Sequence, residues 1–519
     1  MTLEQNVKLA ASRPMGVAQE LAGAQLAAEA VYSRRVILIG EKTVLEHDNG
    51  RWCFLNSLRL LSRVVGDLEV VVPAGVPRLS QEVALVLENL WSQRNVYLVP
   101  EGQVSFEGAA AILNVGVAAR ADLPWTVINS NGWVARCTSS GVPLASGVSQ
   151  SNPVGAMLAA SFGVTEVFKR VYGISYEVAP PMENVSFSLF RMSMTDDDIG
   201  PVLPEVIHLP STLLLGGGAI GNGLVLLLSQ LPLRGRLLIM DKQSFGDENH
   251  GTCCLFDDAD WMGEPKALKL ATWLKSRTAM EVEGLPSTIQ DALDKGQLMS
   301  MGIDLVLSGL DDNPARRAVQ RLWPSLLVDG AINSVGATVV SHSLAHHEYA
   351  CMQCTFVEAV VDEKGVQTKA TGLSCSSLEG DPNRLLTDED IANADEAARP
   401  WLCEQQRQGK TICSTIVAGM AERLGLQLAK GFRPSVPFVA TASAAMVVAQ
   451  MLRSRLWPAE RFFHEYQIAN LFIGPSTGAK LFRMASKSCN CTMHRTVIDS
   501  VVEKRMALFT TSARASPAW

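Results

Sequence analysis

LLLGGGAIGNG (residues 213–223) is the stretch that decides the fold. An apolar run ends at Gly216, and Gly216, Gly218 and Gly221 stand as G-x-G-x-x-G before a second apolar segment. A strand passing into a helix through such a loop is the first step of a nucleotide-binding βαβ unit. The first glycine makes the tight turn, the second lets a phosphate approach the backbone, and the third packs helix on strand. The helix N-terminus then faces the phosphates. A second apolar run, residues 237–240, ends in Asp241, placed to accept hydrogen bonds from ribose hydroxyls. Rossmann-type domains of many activities share this much, nicotinamide-dependent oxidoreductases among them.

The residues beyond Asp241 narrow the choice. Asn249 comes eight positions on. Next stand GEPKA with Lys266, the run DLVLSGLDDNPARRAVQ with Asp312, Asn313 and Arg317, and a further strand, LLVDGAI. In order and spacing these elements resemble the ThiF-type adenylating domains of the ubiquitin-activating enzyme superfamily, over roughly residues 211–345. The resemblance implies adenylation of a carboxylate by ATP, for which a dehydrogenase's glycine loop and acid would not suffice. In that reading Lys266 serves the α-phosphate side as a point charge on a flexible stem. Asp312 holds Mg2+, which favours one or two carboxylates plus phosphate oxygens. Arg317 faces the same cleft, Asp241 holds ribose, Asn249 orients a phosphate or the loop, and Asn313 joins the nucleotide-binding set. One element departs from the family. Where an arginine stands three residues after the asparagine, this chain has Thr252, so a phosphate contact is lost or comes from elsewhere, with Arg34 and Arg316 as candidates.

The first third reads as a worn copy of the middle. VILIG (36–40), EVVVP (69–73), AAILNVG (110–116) and PWTVINSNGWVARC (124–137) have the character of strands. NPVGAMLAASFGVTEVFKRV (152–171) resembles SVPFVATASAAMVVAQMLRS (435–454), each a proline followed by a small-residue helix. The expected fold is therefore α/β, two tandem Rossmann-like ThiF-type domains with the first degenerate and a catalytic-cysteine insertion in the second. The expected bounds are a helical segment over 1–30, an inactive domain over 31–198 and an active domain over 199–519, with a thiol-bearing insertion over 364–412. The loop EKTVLEHDNG after VILIG has no G-x-G-x-x-G, and no acid ends the second strand. The resemblance implies an intramolecular pseudo-dimer, compatible with a further homodimer. In that family an arginine ahead of the inactive half's first strand reaches the active ATP. YSRR (32–35) resembles that element and names Arg34, although a basic residue at a strand start is also ordinary.

Eleven cysteines include Cys351-Met-Gln-Cys354 and Cys489-Asn-Cys491. The opening MTLEQNVKLAASRP is no basic-then-apolar leader, so the cysteines read as metal ligands or reactive thiols, not a disulfide framework. The resemblance implies that the two pairs close a tetrahedral Zn2+ site. The second pair is C-x-C where the family has C-x-x-C, which leaves His494 as a substitute ligand. His342, His346 and His347 read as surface residues of a hairpin. Between the pairs, the polar, acidic stretch 364–410 has the composition of a mobile loop with a short helix, and carries Cys375 and Cys403. Cys413 then opens an apolar-periodic helix, a position that lowers a thiol's pKa. Its setting, Cys-Ser-Thr-Ile, resembles the surroundings of the catalytic cysteine in ubiquitin-type activators. Cys413 is thus the first choice for an acyl thioester, before Cys375 and Cys403.

A chain of 519 residues has room for two or three domains. Its net charge of −7 and lack of a basic stripe argue against nucleic acid as the main partner. Residues 211–233 and 434–452 are uncharged and long enough to span a bilayer. The first holds the glycine loop and the second is rich in Ala, Ser and Thr, so both read as buried core, with no membrane. The expectation is a cytoplasmic enzyme using ATP, Mg2+ and Zn2+, with a ubiquitin-like modifier and a conjugating enzyme as partners. The rivals are a sulfur-carrier activator without a thioester step, a nicotinamide-dependent oxidoreductase and a non-catalytic scaffold.

Overall fold

A computed structural model describes residues 13–504 apart from 19, 22–27, 91–94, 196–197, 257–258, 299–300, 358–362, 379–383, 413–414, 417, 420–434 and 461. Two eight-stranded sheets share one topology. The first comprises β1 (Arg35–Gly40), β2 (Asp67–Val71), β3 (Asn95–Leu98), β4 (Ala111–Val115), β5 (Trp125–Asn131), β6 (Val134–Thr138), β7 (Val185–Ser188) and β8 (Ser193–Met194). Next come β9 (Ile207–His208), β10 (Thr212–Leu215), β11 (Leu233–Arg234), β12 (Arg236–Met240), β13 (Glu281–Leu285), β14 (Leu305–Ser308) and β15 (Leu326–Ile332). β16 (Ala337–Ser343), β17 (Glu465–Ile468) and β18 (Gly478–Leu481) complete the set. The spatial orders are β3-β2-β1-β4-β5-β6-β7-β8 and β13-β12-β10-β14-β15-β16-β17-β18, while β9 and β11 pair separately. In each large sheet the first five strands in chain order run parallel and the last three antiparallel. The expected pair of tandem Rossmann-like sheets is present. β3, β7 and β8 had no legible signal; β3 and β8 are short and largely exposed at sheet edges.

Period-two alternation divides each sheet between two cores. On β10, Leu214 joins one apolar cluster while Leu213 and Leu215 join another. On β1, Val36 and Leu38 belong to the first of these clusters and Ile37 to a third. The shared cluster contains residues of both sheets and of several helices, among them α1 (Asp48–Val64), α2 (Pro153–Val171), α3 (Ala219–Gln230) and α4 (Lys266–Lys275). α5 (Asn313–Val319) contributes Ala318 and Val319 to the cluster of Leu213 and Leu215, and α6 (Pro437–Leu456) again belongs to the shared one. α2 starts cleanly because Asn152 caps it, accepting from the Val154 amide, and Pro153 follows. α6 likewise has Pro437 in its first turn and is buried along Pro437 to Arg453. The resemblance between these two helices now has a cause, since they occupy the same place in the two copies and meet each other. Ser161 Oγ lies 3.0 Å from Thr441 Oγ1, and the Phe168 ring packs at 5.3 Å from Phe438 and 5.7 Å from Phe472. Lys169, fully buried, donates to the Phe472 carbonyl at 3.0 Å. No described helix is long and apolar enough to cross a membrane.

Residues 357–433 form a second compact unit, distinct from that of 1–356 with 434–519. Where a mobile loop with a short helix is expected over 364–410, the described residues carry four α-helices, Glu363–Thr371, Cys375–Leu378, Asp388–Ala392 and Arg399–Arg407. Leu373, Leu386, Ile391, Ala398 and Leu402 make the core of the unit. Thr387 and Asp390 form a capping box, and Arg384 binds the Asp390 carboxylate through both terminal nitrogens at 2.6 and 2.8 Å. Of the acidic residues that suggested a loop, Asp388, Glu389, Asp390, Asp395 and Glu396 stand at helix starts. Cys375 and Cys403 are exposed, and Cys413 lies outside the described residues.

Candidate nucleotide and metal sites

β10 is the switch point of the second sheet, because the chain runs outward to β12 on one side and β14 on the other. Ligands of open α/β sheets bind at the carboxyl ends of strands where the order reverses. Gly216 follows β10 with φ +88°, and a side chain there would also come 3.0 Å from the Gly309 carbonyl after β14. Gly221 is held so close that a Cβ would lie 1.8 Å from the Gly216 carbonyl. Gly218 borders open space. Asp241, just after β12, accepts from the Gly217 amide at 2.5 Å and from the Gln243 amide at 2.6 Å. Lys266 opens α4 and is buried, with Nζ 3.0 Å from Gln243 Oε1. A side chain at Gly217 would come 3.0 Å from Lys266 Cβ and 3.4 Å from Asp241 Oδ2. The structure thus brings Gly216, Gly218, Asp241, Lys266 and the turn after Gly309 to one crevice.

Asp312 closes that turn. It is exposed and caps α5, its Oδ2 accepting from the Ala315 amide at 2.9 Å. Asn313 Oδ1 accepts from Arg316 at 3.1 Å. Arg317 reaches the Phe356 carbonyl at 3.1 Å. Asn249 is buried and its Oδ1 accepts from the Gly246 amide, which orders the loop. Arg34 donates to the Arg170 and Val171 carbonyls at the end of α2, a favourable place for a cation. Thr252 is buried. A cation that does reach its loop is Arg63 of α1, from the first copy, whose Nη1 and Nη2 lie 2.5 Å and 3.4 Å from the Phe256 and Cys254 carbonyls. Burial pushes the neighbouring Cys253 thiol up, against the opposing fields of Lys266, Arg63 and Arg13. Asn222 also escaped the sequence reading. Its Nδ2 donates to the Gly217 and Gly218 carbonyls at 2.8 and 2.9 Å, while its Oδ1 accepts from Leu255 at 3.3 Å. An amide within an otherwise apolar first turn was the available signal.

The same position in the first sheet is filled. Glu41 follows β1, and its Oε1 accepts from the Val117 and Ala118 amides at 2.9 and 2.8 Å and from Asn114 Nδ2 at 2.7 Å. Three donors that could meet an anion are satisfied by the chain's own carboxylate.

Cys351, Cys354, Cys489 and Cys491 converge, their sulfurs all within 4.8 Å of one another. The separations are 3.8 Å for Cys351–Cys354, 3.6 Å for Cys351–Cys489 and 3.5 Å for Cys354–Cys491. A tetrahedron of sulfurs with Zn–S bonds of about 2.3 Å has edges of about 3.8 Å, so the cluster fits such an ion. The Ser486 amide donates to Cys354 Sγ at 3.4 Å, an outer-shell contact expected of a ligating thiolate. The C-x-C spacing closes because Cys489 caps a short helix, Asn490–Met493, that turns Cys491 inward. All four positions are cysteine, and His494 is not among them. His342, expected at the surface, is buried on β16 with Nδ1 3.3 Å from Gln320 Nε2. Burial pushes its imidazole down to about 3, so it is neutral at ordinary pH. His346 is partly exposed and His347 exposed.

An uncharacterized protein, y4jF of Sinorhizobium fredii, is 30% identical over 381 residues, covering 72% of this chain. This chain covers 64% of that relative, less than two thirds of its length. Among solved structures, E. coli MccB with MccA-N7isoASN aligns at 14% identity and a TM-score of 0.36, over 54% of this chain and 66% of that one. E. coli MccB with ATP aligns at 13% identity and a TM-score of 0.35, over 54% and 65%. The ThiF family model matches residues 194–493, which hold both the glycine-loop crevice and the four-cysteine cluster. A match over more than half of its length makes this chain a member of the ThiF family.

Proposed function

We propose that this chain activates a ubiquitin-like protein at the expense of ATP. The modifier's C-terminal carboxylate attacks the α-phosphorus, pyrophosphate leaves, and an enzyme thiolate then displaces AMP from the acyl-adenylate. A conjugating enzyme receives the thioester. The observation that carries this reading is the contrast between the two crevices. One gathers a glycine loop, Asp241, Lys266 and the Asp312 turn, while its counterpart is closed by Glu41. Residues 31–198 are then the inactive partner of an intramolecular pseudo-dimer, and residues 199–519 the active domain. Asp312 would hold the Mg2+ that accompanies ATP and offset charge on the phosphates. Asn313 and Asn249 shape the nucleotide side of the cleft, and Arg317 supplies charge from α5. Arg34 would have to leave its carbonyl partners to reach ATP. The work is placed in the cytoplasm, with modifier and conjugating enzyme as protein partners.

The four cysteines are proposed to hold Zn2+. Metal analysis of purified protein should find about one zinc per chain, one ion per four thiolates. A well-folded sample free of zinc would overturn this.

Cys413 is proposed as the thioester nucleophile, with Cys375 and Cys403 as the other thiols of its unit. A non-reducing gel of enzyme, modifier and ATP should show a dithiothreitol-sensitive band. Cys413→Ala should lose the band and keep modifier-dependent pyrophosphate exchange. Retention of the band there and its loss in Cys375→Ala or Cys403→Ala would transfer the role. Exchange without any band in the wild type would favour an activator that stops at the adenylate.

A further inference from the structure

Asp312 owes its position to a residue outside the nucleotide motif. Arg316, one helical turn on, donates through Nη2 to the Leu310 carbonyl and through Nη1 to Asn313 Oδ1 at 3.1 Å. Its Nε lies 3.0 Å from Asp329 Oδ2. Leu310 precedes Asp312 and Asn313 follows it, so one guanidinium brackets the turn. Asp329 belongs to the adjacent strand, where its register partner is Ser308. It is fully buried, and Ser308 Oγ donates to its Oδ1 at 2.5 Å. The Phe356 ring stands 5.0 Å from the guanidinium carbon.

A buried carboxylate persists only with partners that offset its lost hydration. Burial pushes Asp329 up to about 6, with Arg316 and Ser308 opposing the rise. The ion pair therefore refers the turn after β14 to the rigid β15. A lysine at position 316 would keep the charge but, as a point donor, lose the fork that meets three partners at once.

We propose that Arg316 and Asp329 are positioning residues, holding the 309–313 turn so that Asp312 presents its carboxylate to nucleotide-bound magnesium. This rests on the proposed role of Asp312, and the test separates the two. ATP affinity is measured by calorimetry with and without Mg2+. In the wild type Mg2+ tightens binding, and Asp312→Asn should abolish that gain; a gain that survives there refutes the role of Asp312 itself. Asp329→Asn should cut the gain by ~10-fold or more while leaving metal-free ATP affinity within ~3-fold, and Arg316→Lys should cut the gain as far, as for partners that orient a metal ligand. A full gain in both variants, beside a lost one in Asp312→Asn, overturns the inference alone.

A second readout needs no metal. The Ala315 and Arg316 amides bond to Asp312, and their hydrogen exchange should quicken in Asp329→Asn. Unchanged protection overturns the inference whether or not ATP binds. Should Asp329→Asn fail to fold, Ser308→Ala removes a single hydroxyl donor and is read by the same two measurements, with wild-type values in both counting against the proposal.

Discussion

Asp312→Ala and Lys266→Ala are each expected to lower modifier-dependent ATP–pyrophosphate exchange by at least ~100-fold, or ~2.7 kcal/mol, the cost of removing one preorganised electrostatic group. Lys266 is buried with its ammonium 3.0 Å from Gln243 Oε1, so its charge is already aimed before nucleotide arrives. Asp312 has two duties, since its carboxylate also caps α5. Alanine removes both, and losing the cap alone costs about 1 kcal/mol of stability. Asp312→Asn separates them, because asparagine caps as well as aspartate but carries no charge. Exchange should fall as far in Asp312→Asn as in Asp312→Ala, with the melting temperature closer to wild type. Exchange at the wild-type rate in a folded Asp312→Asn would remove Asp312 from the mechanism.

Deleting residues 1–198 is expected to yield insoluble or inactive protein. The sheets share one apolar cluster, and the cut runs through it. Phe438, Phe472 and Tyr466 are buried and touch aromatic rings of the first copy, Phe168 and Phe187. Exposing three such side chains costs up to about 9 kcal/mol, comparable with the whole stability of a typical domain. The fragment would also lose Arg63, which binds the Cys254 and Phe256 carbonyls beside the nucleotide crevice. A soluble, fully active fragment beginning near residue 199 would show that the first copy is only an appended domain. Expression trials, with the exchange assay on whatever stays in solution, distinguish these outcomes.

Local regularities were legible because they depend on short-range physics. G-x-G-x-x-G specifies a turn through the φ of Gly216 and the contact at Gly221, both set within six residues. Strand and helix periods announced β1, β4, β5, β10, β12, β14 and β15, and the matching helices α2 and α6 revealed the duplication. Residues 364–410 have the composition of a mobile loop with a short helix but carry several helices, since their core depends on a few well-spaced leucines and a cap, not on overall hydropathy. Which cation serves which loop was not legible at all. Arg34 has a place in the motif and binds the end of α2, while Arg63 has none and reaches the Cys254 and Phe256 carbonyls from the other copy.

By itself, then, the sequence determined the α/β repeat, the nucleotide loop and the identity of the cysteine pairs, because each is written in residues a few positions apart. Only the tertiary structure decided that Glu41 closes the first crevice, that Arg316 and Asp329 brace the turn of Asp312, and that Cys351 meets Cys489 at 3.6 Å across 138 positions of chain. Spacing sets a residue's own backbone and the face it shares, whereas a side chain's distant partner is chosen by strand order and helix packing, which the whole chain settles together.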